Sequence, residues 1–252
     1  MIRNSDSLVF QQMGIDEFNL LFSDPHQYFI NFFHNPYPHG YSRIFEDYHS
    51  FWNNIRNILI AKMLSVFNFF SFKNFWINTL FFNFLVFFGC VGLYRVFSKV
   101  FPEAFYSLIF CIFLLPSALF YSSMVHRDGL IFLSVSMIVF HFYFLMKSRG
   151  EVLRRILLIV FFLVVIFLLR NFVFLALVPA LIAWFFAERF SEKPILSFVI
   201  IYSIFTIAFF ASSFIPSLDF PGHVVDRQES FIEIGKQGNS TIAVNKLKPG
   251  II

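Results

Sequence analysis

The residues best suited to chemistry gather in one run, Pro116-Ser117-Ala118-Leu119-Phe120-Tyr121-Ser122-Ser123-Met124-Val125-His126-Arg127-Asp128-Gly129. An apolar segment ends there, a short polar turn follows, and a second apolar segment begins. Ser122, Ser123, His126 and Arg127 form a compact set of donors suited to phosphate oxygens. A cation next to a helix N-terminus gains nothing from the helix dipole, so helix chemistry alone does not explain His126 and Arg127; a solvated turn is the plain alternative. Asp128 stands where the next helix starts, and a carboxylate there can cap the helix and meet its positive end. Capping and ligand binding both remain open for it. Pro116 is expected to kink the outgoing helix and free a backbone carbonyl.

Arg170-Asn171 is the second feature. An arginine at mid-bilayer costs about 2.5–3.5 kcal/mol on insertion scales, whereas one at a hairpin tip snorkels to the interface. Arg170 is therefore either a snorkelling tip residue or a second phosphate-binding arginine on the same face as Arg127. The third feature is an acidic N-terminal segment with Asp6, Asp16, Glu17, Asp24, Glu46 and Asp47. Group transfer to a hydroxyl needs a carboxylate base, or one that holds a divalent metal beside a leaving phosphate. His26, His34, His39 and His49 are spaced like no helical ligand pair and no finger, so no metal site is expected from them. Cys90 and Cys111 lie in apolar runs and read as small buried hydrophobes. Asn239-Ser240-Thr241 matches a glycosylation acceptor pattern, in a chain with no other sign of a secretory context.

The elements that must position these residues are set by composition. Of 252 residues, 58% are hydrophobic and only 13% charged, against roughly 25% charge in a soluble domain. Phe alone supplies 43 residues, a bias that fits lipid as solvent and a T-rich codon usage. The net charge of +4 is scattered with no basic run, which excludes nucleic acid as a partner. No Gly-rich phosphate loop and no nucleotide-binding α/β unit is present, so a soluble nucleotide-sugar donor has no site.

The pattern predicts an all-α, polytopic transmembrane helix bundle. About six spans are expected, near 75–95, 104–121, 128–146, 153–169, 171–187 and 195–215. Residues 58–72 are apolar but broken by Lys62 and Asn68, which reads as an interfacial or re-entrant helix, with a span as the alternative. Residues 1–56 read as a polar loop region with short helices, 57–215 as the bundle, and 216–252 as a polar tail. Lys147, Arg149, Arg154 and Arg155 mark a cytoplasmic loop. Alternation then puts Arg95, Lys99, Arg189 and Lys193 on the same side. The 122–128 turn, the Arg170 turn and the tail fall on the extracytoplasmic side, and the N-terminal region joins them if 58–72 does not cross. No hydrophobic signal core opens the chain, so the expectation is a cytoplasmic N-terminus or a missing natural beginning.

The stretch from Phe51 to Pro179 resembles a group of polytopic membrane proteins of Bacteroidota. The resembling pieces are Phe51-Trp52-Asn53-Asn54, Phe88-Gly89, Leu93-Tyr94-Arg95, Leu115-Pro116-Ser117 through Leu130, Leu169-Arg170-Asn171 and Leu177-Val178-Pro179-Ala180. The pattern from Pro116 to Asp128 is also distantly similar to one in envelope polysaccharide polymerases and GT-C class glycosyltransferases. That resemblance implies a polyprenyl-phosphate-linked sugar donor used on the extracytoplasmic face of a bacterial inner (cytoplasmic) membrane. It implies a catalytic acid in the first outer loop, which Asp6 matches. A lipid-carrier site would then comprise Ser122, Ser123, His126, Arg127, Asp128, Arg170 and Asn171. The resembling proteins are longer at both ends, which implies a truncated reading frame as one alternative; a lipid or glycan flippase or transporter and a non-catalytic membrane subunit are the others.

Overall fold

A computed structural model describes residues 6–32, 51–115, 124–147, 150–190, 192–214, 220–222 and 224–225. Among them there is helix and turn but no strand. In chain order the helices are α1 (Asp6–Ser23), α2 (Pro25–Ile30), α3 (Phe51–Ser71), α4 (Phe75–Val100), α5 (Phe105–Ile109), α6 (Arg127–Lys147), α7 (Val152–Leu169), α8 (Asn171–Arg189) and α9 (Pro194–Ala211).

Among the described residues five helices are long and apolar enough to cross a membrane: α4, α6, α7, α8, and α9 with its extension to Phe214. At 1.5 Å per residue they reach about 27–39 Å, against a hydrocarbon core of about 30 Å. Only 6% to 28% of each apolar window is buried inside the protein. Apolar faces that large are stable only with lipid as solvent. The chain is therefore a multi-pass integral membrane protein. The expected span at 104–121 is described as far as Leu115, as a 3-10 turn (Pro102–Ala104), α5 and a π turn (Phe110–Leu114); the rest of it lies outside the described residues.

The N-terminal region departs from the expected loop. Asp6–Ser23 is one helix of 18 residues, because the first proline comes only after it, at Asp24-Pro25. Asp24 caps α2 by accepting from the Gln27 N–H at 3.0 Å. The apolar run at 58–72 belongs to a continuous helix that starts at Phe51 and spans 21 residues. α3 is not among the five helices long and apolar enough to cross a membrane. Its polar residues face α1 and α4, and that contact is what Lys62 and Asn68 are for.

Gly14 sets the approach of α1 to α3, since a Cβ there would lie 2.6 Å from the Leu64 Cβ. Around this crossing runs a buried amide chain. The Asn78 side chain donates to Gln11 Oε1 at 2.9 Å and Asn68 Oδ1 at 2.7 Å. Asn68 donates to the Gly14 carbonyl at 3.0 Å, and Gln11 to the Lys73 carbonyl at 3.2 Å. That last bond steadies the tight α3–α4 turn, where Phe72 and Lys73 both take left-handed backbone, φ 52° and 67°. Asn74 then caps α4 by accepting from Trp76 N–H at 3.0 Å.

α4 and α6 run parallel, Gly129 packing on Phe82 and Val86, and Gly92 on Met137 and Phe140. The close contact needs glycine: a Cβ at Gly89 would lie 3.1 Å from the Leu133 Cα, and one at Gly129 2.8 Å from the Phe82 ring. Gly129→Val is expected to cost about 1–3 kcal/mol by overpacking, read as a lower thermal midpoint of the detergent-solubilised protein. Phe10, Ile60, Leu64, Phe82, Val86, Val125, Leu130 and Leu169 form one core joining α1, α3, α4, α6 and α7. These helices and the first turn of α8 make one compact unit; a second holds the rest of α8, with buried Pro179, and α9.

Candidate functional site

The turn before α6 and the break between α7 and α8 meet beside the start of α1. Asp128 is the hub. Its Oδ1 lies 3.1 Å from Arg170 Nη2 and its Oδ2 3.1 Å from His126 Nδ1. On the far side of the imidazole, His126 Nε2 lies 3.8 Å from Asp6 Oδ2, within ionic reach but longer than a hydrogen bond. Arg127 donates to Asn57 Oδ1 at 2.9 Å and lies 5.3 Å from the centre of the Phe10 ring, a cation–π distance.

Local sequence explains each placement. The backbone of Arg170 is extended, φ −149° and ψ 92°, so α7 and α8 are separated by one residue that hangs at the tip of the hairpin. Asn171 restarts the chain by accepting from the Phe172 N–H at 3.0 Å. Asp128 does not cap α6: the helix begins one residue earlier, at Arg127. The cap is His126, whose Nδ1 accepts from the Asp128 N–H at 3.3 Å. Asp128 keeps a favourable place in the first turn, near the positive end of the dipole, while its carboxylate reaches sideways to α7. With Nδ1 accepting from the backbone, the neutral imidazole presents an N–H at Nε2 toward Asp6.

The expected residues thus divide clearly. Asp6, His126, Arg127, Asp128 and Arg170 come together, and Asn171 flanks them as a helix-start residue. Ser122 and Ser123, with Pro116, lie outside the described residues, as do Glu46, Asp47, His34, His39, His49 and Asn239-Ser240-Thr241. The remaining described acids of the N-terminal segment have other work. Asp24 caps α2, Asp16 accepts from Gln12 at 2.9 Å, and Glu17 pairs with Lys62 at 2.6 Å. Asp6 alone among them sits beside the turn, with its side chain 74% exposed. Sequence reasoning missed Asn57 and Phe10, the residues that hold Arg127. The signal was there in Asn53-Asn54 and Arg56-Asn57, polar residues leading into an apolar run.

Two arginines and two carboxylates make the site close to neutral, with a charge layout that a ligand can redirect. Arg170 is about 39% and Asp128 37% exposed. An ion pair that open contributes little to stability, about 0.2–1 kcal/mol, so an anion can exchange into it at low cost. Asp128 is committed to Arg170, and no group of three His, Cys, Asp or Glu able to hold a metal forms among the described residues. Positive charge for an anionic ligand comes from the guanidinium groups.

No known protein family matches the sequence, and no curated protein or solved structure matches it. The class defined by fold and composition is that of a multi-pass, all-α integral membrane protein. What it does there rests on the chemistry of the site.

Proposed function

We propose that this protein serves envelope glycan assembly, transferring or polymerising sugars from a polyprenyl-phosphate-linked donor on the extracytoplasmic face of the bacterial cytoplasmic membrane. The observation that carries the reading is the meeting of Asp6, His126, Arg127 and Arg170 at one end of the bundle. The opposite end holds Lys99, Lys147, Arg154 and Arg155, which by the positive-inside rule lies in the cytoplasm. A donor with its phosphates at the outer interface and its chain in lipid reaches this site without leaving the membrane. The buried polar residues Ser7, Gln11, Ser65, Asn68, Ser71 and Asn78 also gather at this end. Only Ser134 and Ser136 lie buried along α6, which favours a one-face site over a transport path.

In this reading Arg127 and Arg170 bind the lipid phosphate oxygens, Arg127 held in place by Asn57 and Phe10. The acceptor hydroxyl attacks the anomeric carbon as its proton passes to the Asp6 carboxylate. The bond from that carbon to the phosphate oxygen breaks, and the lipid phosphate leaves with the electron pair. Both arginines meet the charge that grows on it. His126 orients Asp6.

The test is sugar transfer from a polyprenyl-diphosphate donor in proteoliposomes. Arg127→Ala is expected to lower kcat/KM by about 10- to 100-fold, as befits losing a charged hydrogen bond of about 1.5–3 kcal/mol. Arg127→Lys should recover part of that, because the charge stays and the fork is lost. Equal transfer by wild type and Arg127→Ala would remove Arg127 from the mechanism, and no transfer by wild type with any such donor would remove the reading.

A further inference from the structure

The second half of α3 is built inside out. Its inward face carries Ser65, Asn68 and Ser71, each at most 1% exposed. All three are hydrogen-bonded within the protein: Ser65 to the Tyr28 hydroxyl at 2.8 Å, Asn68 to the Gly14 carbonyl at 3.0 Å, and Ser71 to Asn68 at 3.4 Å. Its outward face carries Val66, Phe69 and Phe70, at the i, i+3, i+4 spacing of a single helix face. All three are exposed, Phe70 by 71%. Water selects the reverse arrangement. Lipid, which satisfies no polar group, selects this one.

The turn that follows repeats the pattern. Phe72 is 88% exposed on left-handed backbone, and Trp76 is exposed in the first turn of α4. Tryptophan is favoured where one end of the ring system is apolar and the other wet, as at a membrane surface. Lys73, between them, donates to Asn19 Oδ1 at 2.8 Å, and its Nζ lies 5.2 Å from the centre of the Phe18 ring. Its ammonium is thereby drawn onto α1.

Ring contacts join this face to a neighbour on each side. Phe69 lies 5.7 Å from Phe22 near the end of α1, and Phe22 is itself exposed. Phe70 lies 6.5 Å from Phe81 of α4. Phe81 shares a helical stripe with Ile77, Phe84 and Phe88, all three exposed, on a helix long and apolar enough to cross a membrane. The apolar surface that α4 presents to lipid therefore continues across α3 to the end of α1.

We propose that α3 from Val66 to Phe72, with Phe22 of α1, forms a membrane-docking surface occupied by the acyl chains of the leaflet in which α4 begins. α3 then lies in the membrane interface without crossing it. α1, which carries Asp6 at its start, is seated on lipid at its other end. The inference does not depend on the glycan reading.

The experiment uses the full chain in proteoliposomes of phosphatidylethanolamine and phosphatidylglycerol. In a Cys90→Ala, Cys111→Ala background, a nitroxide is attached at Val66→Cys, Phe70→Cys or Phe22→Cys. Its collision rates with oxygen, which concentrates in lipid, and with a nickel chelate, which stays in water, are compared. Phe84→Cys on the α4 stripe is the lipid reference. Glu151→Cys, an exposed acid in the α6–α7 turn, is the water reference. The oxygen-to-nickel ratio at all three positions should exceed that at 151 and approach that at 84. Ratios at 66 and 70 equal to that at 151 would place the face in water and overturn the proposal. Protection from both reagents would mean that protein covers the face, and would overturn lipid as its occupant. A water-like ratio at 22 alone would remove α1 from the surface. Wild type needs no label: a phospholipid with a photoactivated acyl chain should leave adducts at 66–72 as well as on α4, located by mass spectrometry. Adducts on α4 with none at 66–72 would overturn the proposal even if every labelled variant unfolds.

Discussion

Asp6→Asn is expected to reduce sugar transfer by about 10²- to 10⁴-fold, the range for removing a positioned general base, while leaving the fold and donor binding intact. The reason for the separation is geometric. The Asp6 side chain is 74% exposed and its ion-pair partner, His126, lies 3.8 Å away. Little folding energy rests on such a contact, so the thermal midpoint should move by no more than a degree or two. Donor phosphates are assigned to Arg127 and Arg170, so KM for the lipid donor should stay near wild type and the loss should fall on kcat. Asp6→Glu keeps the carboxylate but moves it by one methylene, and partial activity is expected. His126→Ala should give a smaller loss than Asp6→Asn, because His126 orients the base and does not take the proton. If Asp6→Asn transfers sugar at the wild-type rate, another group is the base. Glu46 and Asp47 are then the next acids to replace.

The parts of this arrangement that sequence could anticipate are those set by a single segment. The apolar runs read directly as α4, α6, α7, α8 and α9, since each needs only its own composition to be stable in lipid. Arg170 at a hairpin tip and His126-Arg127-Asp128 at a helix start were visible for the same reason. The features that sequence hid depend on two segments meeting. Lys62 and Asn68 looked like breaks in an apolar run, and they are instead the contacts that bind α1 and α2 to α3. Asp128 looked like a helix cap, but Arg170, 42 residues further on, draws its carboxylate away and His126 takes over the capping. The length of α1 was hidden by its mixed surface: Ser7, Gln11 and Gly14 are buried beside Phe10, so the helix carries no clean apolar stripe to be read. The partner that makes those polar positions buried is Asn68–Asn78, more than 50 residues away.

The same contact gives the largest stability effect expected in the molecule. Lys62 and Glu17 pair at 2.6 Å with side chains only 15% and 14% exposed. Lys62 also lies 3.3 Å from the centre of the Tyr28 ring and donates to the Tyr28 carbonyl, while Glu17 accepts from Asn31 at 2.8 Å. Burial pulls the Lys62 ammonium below its ordinary range, and the hydrogen bond and charge of Glu17 pull it back only in part. Desolvation is the larger influence, so the pair does not hold α1 on α3 by net electrostatic gain. Its weight lies in what happens when one partner goes. Glu17→Ala leaves a buried ammonium with no counter-charge and is expected to cost about 3–5 kcal/mol. Glu17→Leu together with Lys62→Met removes both charges and keeps the volume, and should be close to neutral or stabilising. The measurement is the thermal midpoint in detergent, paired with cysteine accessibility at position 10, where Phe10 is 4% exposed against Arg127. Glu17→Ala should open position 10 to labelling; the double variant should not. Should both variants be equally destabilised, the ion pair itself, and not the avoidance of an orphaned charge, fixes α1 to α3. Because α1 carries Asp6 at one end and Phe10 a turn later, loosening it in Glu17→Ala should also lower sugar transfer. The double variant, with α1 seated, should restore it.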